Sequence, residues 1–386
     1  MRVLHSVVTY LNVSENWIYP LIVQVPGVES SVLCSSVVNA ESFPLNKIRL
    51  VVSPPPWTRS LGVPRFFNAL ARRIGCGGMA AALKLRAWSP QIVHAHFGTR
   101  GWESMTMKRW LKVPLVTSFY GYDAWLLPKS QPVWRERYHE LFAEGDVFLV
   151  EGPAMATRLV ELGCPKEKIS IQRIGVNLDS LPFEAKQFSG DLKIVMVGRF
   201  VEKKGFIDGL RACAVARSRG VGLSVTIVGD SYADDPVGKQ IKRELEEIAN
   251  RPELAGAVHF AGFLPLDQTR NVLRTHNVLV CPSRHAANGD AEGGSPVALT
   301  EAMALGLLCI GTRHCDIPEI ILDNQTGYLC EEGNFTAIAD ILTALGKDSN
   351  RLALLTRAGR KHVEEKFSLL IQLNGLHAVY KTTLSI

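Results

Sequence analysis

Short apolar runs alternate with helix-length segments from one end of the chain to the other. In the first half, Val3 to Val8, Val32 to Cys34, Ile48 to Val52, Ile92 to Ala95, Leu115 to Ser118, Val147 to Glu151 and Ile169 to Ile171 predict strands. A second set opens with Lys193-Ile194-Val195-Met196-Val197-Gly198 and continues through Ser224 to Val228, Val258 to Phe260, Val278 to Cys281 and Leu308 to Gly311. Runs this short and this continuously apolar fit parallel strands covered by helices on both faces. The pattern therefore predicts an α/β chain with two Rossmann-like, doubly wound domains in series. The polar interval Glu184 to Gly190 puts the join near residues 183–191, giving domains 1–185 and 186–367. Loops at the carboxyl ends of such strands bind ligands, so two domains facing across a cleft would hold a ligand there.

Composition narrows the class. A chain of 386 residues is long for one core and suits two. With 47% hydrophobic and 21% charged residues it is neither disordered nor fibrous. No run reaches the roughly 18 apolar residues of a spanning helix, and the N-terminus reads as a first buried strand rather than a signal peptide, which predicts a cytoplasmic protein. The eight cysteines are scattered without Cys-x-x-Cys or zinc-like spacing, so free thiols are expected. The net charge of +6 is uneven: residues 1–100 carry ten Lys/Arg against three Asp/Glu, and the remainder 33 against 34. That basic excess, with the aromatic and cationic run Phe66 to Ile74, is read either as a half-buried helix with a solvated edge or as peripheral contact with an anionic membrane. Nucleic acid is not expected as a partner.

The segment Asn288 to Gly306 carries the densest chemistry. Pro296 suits the first turn of a helix on whose face Val297, Glu301 and Ala304 fall together, leaving Glu292 in the preceding loop with Gly293, Gly294 and Ser295. Backbone amides at that end attract phosphate, and the carboxylates can accept hydroxyl hydrogen bonds from a sugar or ribose. The same residues also fit an acidic loop followed by a helix with a merely solvated glutamate. In the first half, His94 and His96 alternate along one strand and project to the same side, a pair that could in principle bind a metal, though no third ligand is evident in the sequence.

Asn288 to Gly306 resembles the Glu-x7-Glu motif of glycosyltransferase family 4, with one additional residue near Gly293 and Gly294. Gly311 to Glu319 resembles that family's Pro-Glu loop. Val197-Gly198-Arg199-Phe200-Val201-Glu202-Lys203-Lys204-Gly205 resembles its diphosphate clamp. The resemblance implies the GT-B architecture, with Arg199 and Lys204 on the nucleotide diphosphate, Glu292 on the donor sugar and Glu301 on the ribose. It extends the donor site to Gly198, Asp230, Gly262, Phe263, Gly293, Gly294, Ser295, Pro296 and Val297, with the loop Phe260 to Leu264 reaching the base. Lys203 could compete with Lys204. Two fixed cations at a departing diphosphate stabilise the transition state more than the ground state.

In the first domain the resemblance places Glu15, Asn16, His96, Tyr120 and Asp123 toward acceptor or sugar, with His96 and Asp123 also counted as catalytic. His96 fits a structural histidine as well. Tyr120 stands where family members often carry the histidine of His-Gly-x-Asp. Ser14 to Tyr19 resembles an element of members that build surface polysaccharides, and the last helix, 368–386, is expected to cross back onto the first domain. No metal or other cofactor is expected. The expected activity is retaining transfer of a hexose from a UDP- or GDP-sugar to a glycan or lipid-linked glycan hydroxyl, in exopolysaccharide, capsule or lipopolysaccharide assembly. The alternatives are an inverting transferase or nucleotide-sugar epimerase on the same fold, or a non-catalytic binding protein.

Overall fold

A computed structural model describes residues 1–12, 15–44, 49–52, 85–86, 88–186, 188, 191–294, 296–345 and 349–385. By their contacts these form two compact units, Met1–Gly175 with Leu370–Ile386, and Val176–Leu369. The basic run Phe66 to Ile74, together with Ser14 and Ser295, lies outside the described residues.

The first unit is built on seven parallel strands in the order Arg49–Val52, Glu29–Cys34, Arg2–Ser6, Ile92–His96, Leu115–Ser118, Val147–Val150, Ile169–Ile171. Chain order reverses between Arg2–Ser6 and Ile92–His96, where His5 lies in register with His94. The helix Val133–Glu144 covers the sheet with Tyr138 and Phe142, which pack with Phe148 of the strand Val147–Val150 and with Phe119 just after Leu115–Ser118, all buried. The closing helix Leu369–Thr383 belongs to this unit, inserting Leu376 and Tyr380 at full burial. Gln172 Nε2 donates to the Gln372 carbonyl at 2.9 Å, tying the helix to the end of the last strand.

The second unit carries six parallel strands in the order Val258–Gly262, Leu223–Val228, Leu192–Val197, Val278–Cys281, Leu308–Thr312, Tyr328–Cys330. Here the order reverses between Leu192–Val197 and Val278–Cys281, so the loops leaving these two strands meet at the switch point where such sheets bind ligands. Local chemistry sets the helix starts. Asp235 Oδ1 accepts from the amides of Val237 and Gly238 at 3.1 and 3.0 Å, and Pro236 follows at the first helical position of Pro236–Ala249.

The join falls ten residues earlier than the polar interval suggests. Val176 and Leu181 are buried in the second unit's core, and the Val176 amide donates to Phe367 O at 2.8 Å. Apolar anchoring decides the boundary; the polar stretch after it lies inside the second unit. Among the described residues no helix is long and apolar enough to cross a membrane.

Candidate functional site

In the second unit, the strand Leu192–Val197 ends at Gly198, and a short 3-10 turn, Glu202–Lys204, leads to Gly205 at the start of the helix Phe206–Ser218. Gly205 has φ +63°, and a Cβ there would stand 1.9 Å from the Pro282 carbonyl oxygen. Only glycine allows this approach, which presses the Lys203-Lys204 turn against the loop after Val278–Cys281.

That approach brings Lys204 to Glu292. The Lys204 ammonium lies 2.8 Å from Glu292 Oε1 and 3.0 Å from Oε2, and Ser283 Oγ donates to Oε1 at 2.7 Å. The Glu292 side chain is only 7% exposed. Burial alone would raise its carboxyl, but Lys204 and Lys203, with hydrogen bonds from Lys204 and Ser283, hold it at about 2. Lys204 in turn stays charged: burial works against it, and the Glu292 carboxylate overcomes that. Lys203 has a different task. Its ammonium binds Asp290 Oδ1 at 3.1 Å and the Ala291 carbonyl at 2.8 Å, pinning the loop that presents Glu292.

The Glu292 backbone is held too. Its N–H donates to His314 Nε2 at 3.1 Å, and His314 Nδ1 lies 2.7 Å from Glu332 Oε1. An N–H facing Nε2 requires a bare lone pair there, so the ring proton sits on Nδ1 and donates to Glu332. Burial keeps His314 neutral, pulling it below its ordinary value.

The other residues expected around the donor separate into groups. Glu301, on the helix Val297–Ala304, is buried against Arg270, whose Nε and Nη2 lie 3.0 and 2.6 Å from its Oε1. Pro296 stands just before that helix, without a side-chain cap, and Val297 opens it, while Gly293 takes φ +85° in the loop ahead of Gly294. Gly229 follows Leu223–Val228 at φ +131°, where a Cβ would meet Gly198 O at 1.9 Å, and its amide donates to Gly262 O at 2.8 Å. Asp230 is paired with Lys242 at 2.8 Å. Phe263, 51% exposed, stacks on Tyr232 with centroids 5.4 Å apart, and the Arg199 guanidinium lies 5.8 Å from the Tyr232 ring centre. Arg199 is exposed and has no ion-pair partner among the described residues. Ser283, His314, Arg270 and Tyr232 escaped the sequence reading. Ser283 and His314 each sit two residues beyond a strand's carboxyl end, the position that flagged Lys204's loop.

In the first unit the expectation that His96 faces a sugar is corrected: its side chain is fully buried. His96 Nδ1 lies 2.8 Å from Tyr120 Oη and its Nε2 3.1 Å from His5 Nδ1, and burial pulls it well below its ordinary value. Tyr120 covers it, stacked nearly parallel and flanked by Trp17 at 5.9 Å and Phe97 at 4.9 Å. Glu15 and Asn16 precede Trp17 and are partly exposed. Asp123 is also corrected from a reacting group to a positioning one. It is fully buried, and its oxygens accept from the amides of Gly98 at 2.7 Å and Tyr120 at 3.0 Å. Asp123→Asn turns an acceptor into a donor facing one of those amides. It is expected to lower stability by about 1–3 kcal/mol, read from the unfolding midpoint, and to loosen the Tyr120 turn.

His5, buried beside His94 and His96, is a third imidazole the sequence did not reveal. These rings spend their nitrogens elsewhere: His94 on Tyr380 Oη at 2.6 Å and Ser118 Oγ at 2.8 Å, His96 on Tyr120 and His5. Only His5 Nε2 lacks a partner among the described residues, which makes this a hydrogen-bonded core network rather than a prepared metal centre. The seven described cysteines are free thiols.

Comparison with known proteins gives a consistent picture. Residues 179–362 match the family described as Glycosyl transferases group 1, and residues 26–180 match Glycosyltransferase Family 4. The chain is 31% identical over 300 residues to the colanic acid biosynthesis glycosyltransferase WcaL of Escherichia coli, covering 76% of this chain and 70% of the relative. It is 30% identical over 321 residues to the amylovoran biosynthesis glycosyltransferase AmsK of Erwinia amylovora, covering 81% and 75%. Among solved structures, Anabaena HepE in complex with UDP and glucose superposes with a TM-score of 0.78 at 14% identity over 100% of both chains. The lipopolysaccharide outer core galactosyltransferase WaaB superposes at 0.70 with 15% identity, over 99% of this chain and 100% of the other. The two parallel-sheet domains are thus those of the GT-B fold.

Proposed function

Since the chain belongs to glycosyltransferase family 4, the group 1 glycosyl transferases, we propose that it moves a hexose, with retention, from a UDP- or GDP-linked donor to a glycan or lipid-linked glycan hydroxyl. Surface-polysaccharide assembly is the setting, on the strength of the relatives named for colanic acid and amylovoran.

The observation that carries the donor reading is the buried Lys204–Glu292 pair, framed by Ser283 and His314 at the second unit's switch point. An ammonium has three N–H donors. With Glu292 holding it in place, Lys204 keeps a donor for a diphosphate oxygen, and exposed Arg199 supplies a second cation. Glu292 is ionised and aimed, suited to accept hydroxyl hydrogen bonds of the sugar. Tyr232 and Phe263 offer an aromatic surface for the base. As the glycosidic bond breaks, negative charge grows on the leaving diphosphate, and preorganised cations act on that change. The Lys204-bound carboxylate is committed to its pair, which disfavours a covalent glycosyl intermediate and favours a front-face route in which the leaving diphosphate takes the acceptor proton.

A thermal-shift screen against nucleoside diphosphates and their sugars tests this. One of them at 100 times its Kd is expected to stabilise the protein by about 2.7 kcal/mol. NMR of the product's anomeric proton then reads the stereochemistry. Release of nucleotide with an inverted product refutes retention, and no stabilisation by any nucleotide refutes the donor site.

A further inference from the structure

Beside the donor loop, outside the residues assigned above to donor contact, stand His285, His314, Cys315 and Glu332. One ligand atom each from His285, His314 and Cys315 lie within 4.8 Å of one another. Both imidazoles are oriented by a single carboxylate. His285 Nδ1 lies 2.9 Å from Glu332 Oε1 and His314 Nδ1 lies 2.7 Å from the same oxygen, while the His285 backbone amide donates to Oε2 at 2.8 Å. Two histidines donating Nδ1–H to a carboxylate is the arrangement that prepares their Nε2 lone pairs for metal, although that of His314 is here taken by the Glu292 N–H at 3.1 Å. Cys315 Sγ lies 3.3 Å from His314 Nε2. Nitrogen and sulfur sharing a tetrahedral zinc would stand about 3.5 Å apart, given bonds of about 2.0 and 2.3 Å.

Two further features set this group apart from the buried trio in the first unit. Cys315 takes φ +44°, a conformation that favours glycine, so a side chain is present where the backbone would prefer none. And one edge of the group reaches solvent: the His285 side chain is 55% exposed, which gives an ion a way in, while Cys315 is partly and His314 fully buried.

We propose that His285, His314 and Cys315 form a binding site for a thiophilic divalent cation of the zinc class, oriented by Glu332. Cys315 binds as the thiolate, its proton passing to solvent, and a solvent molecule completes the fourth position. The cation takes the His314 lone pair that otherwise receives the Glu292 N–H, so occupancy and that hydrogen bond exclude each other. On the donor-site reading above, a bound ion therefore lowers transfer.

Calorimetry with Zn²⁺ and near-ultraviolet spectra with Co²⁺, both on chelator-treated whole protein, test the site without reference to activity. One ion per chain is expected, with a thiolate-to-cobalt charge-transfer band. His285→Ala and Cys315→Gly are expected to weaken binding at least tenfold and to abolish the band in the second case. Glu332→Gln is expected to cost about 10–100-fold in affinity. His285 is exposed and glycine suits φ +44°, so both ligand variants should fold, which their thermal unfolding checks. Wild-type protein without the charge-transfer band, or binding that survives both ligand variants and disappears with His5→Asn, overturns the proposal. If the ion binds as described but transfer is indifferent to it, the site stands and the link to Glu292 falls.

Discussion

Replacing Lys204 with methionine is expected to lower kcat by about 10²–10³-fold with a smaller change in donor KM, the signature of lost transition-state rather than ground-state stabilisation. The ammonium is charged, 18% exposed and fixed by two Glu292 oxygens, so under the proposed function it needs no reorganisation as a diphosphate leaves. The same change strips Glu292 of its partner, and a buried carboxylate left alone destabilises the fold by about 3–5 kcal/mol. The two effects separate by pH. In the native protein the Glu292 carboxyl sits at about 2 against an ordinary 4.5, so its contribution is present above pH 4.5 and is lost as pH falls toward 2. A shift of that size corresponds to about 3 kcal/mol. In the variant the carboxyl rises, so the stability deficit is large at neutral pH and narrows as pH falls through that raised value and on toward 2, while the kinetic deficit does not. Steady-state kinetics with a donor sugar and unfolding midpoints across pH check both. A Lys204→Met enzyme within threefold of wild-type kcat would remove Lys204 from the clamp.

How far the chain's sequence foretells this site depends on the kind of interaction. Parallel strands buried on both faces are continuous apolar runs, so nearly every strand was legible; Tyr328–Cys330 was not, being three residues long between polar neighbours. Residues at strand ends were legible as loops with chemistry, which located Lys204, Asp230 and the Glu292 loop. Partnerships were not. Lys203 and Lys204 are adjacent and chemically identical, and the fold, with Gly205 packed against Pro282, gives one to Asp290 and the other to Glu292. His96 shows the converse. Its strand position is correct, but whether an end-of-strand side chain meets solvent depends on what covers it, and Tyr120 comes from the end of the neighbouring strand. The boundary slipped because a polar interval marks exposure, whereas a domain begins where apolar anchors such as Val176 start to pack.

Glu301 yields the other large expectation. The sequence set it on a helix face; the structure adds Arg270, from the helix Leu266–Thr275, with two N–H groups on one carboxylate oxygen. Burial still raises the Glu301 carboxyl despite the guanidinium, so desolvation outweighs the attraction even with the pair intact. A group raised in this way contributes stability fully present below its ordinary value of 4.5 and lost as pH rises through the raised one. Arg270→Ala is therefore expected to destabilise the protein by about 3–5 kcal/mol at neutral pH, and by much less near pH 4, where Glu301 takes up a proton. Adding Glu301→Gln to Arg270→Ala removes the stranded charge and should restore most of the loss, because an amide is far easier to bury than a carboxylate. If Glu301 also holds the donor's ribose hydroxyls, the double variant regains its unfolding midpoint but not its donor affinity. Recovery of both in the double variant would leave Glu301 a partner of Arg270 alone and take the ribose contact away from it.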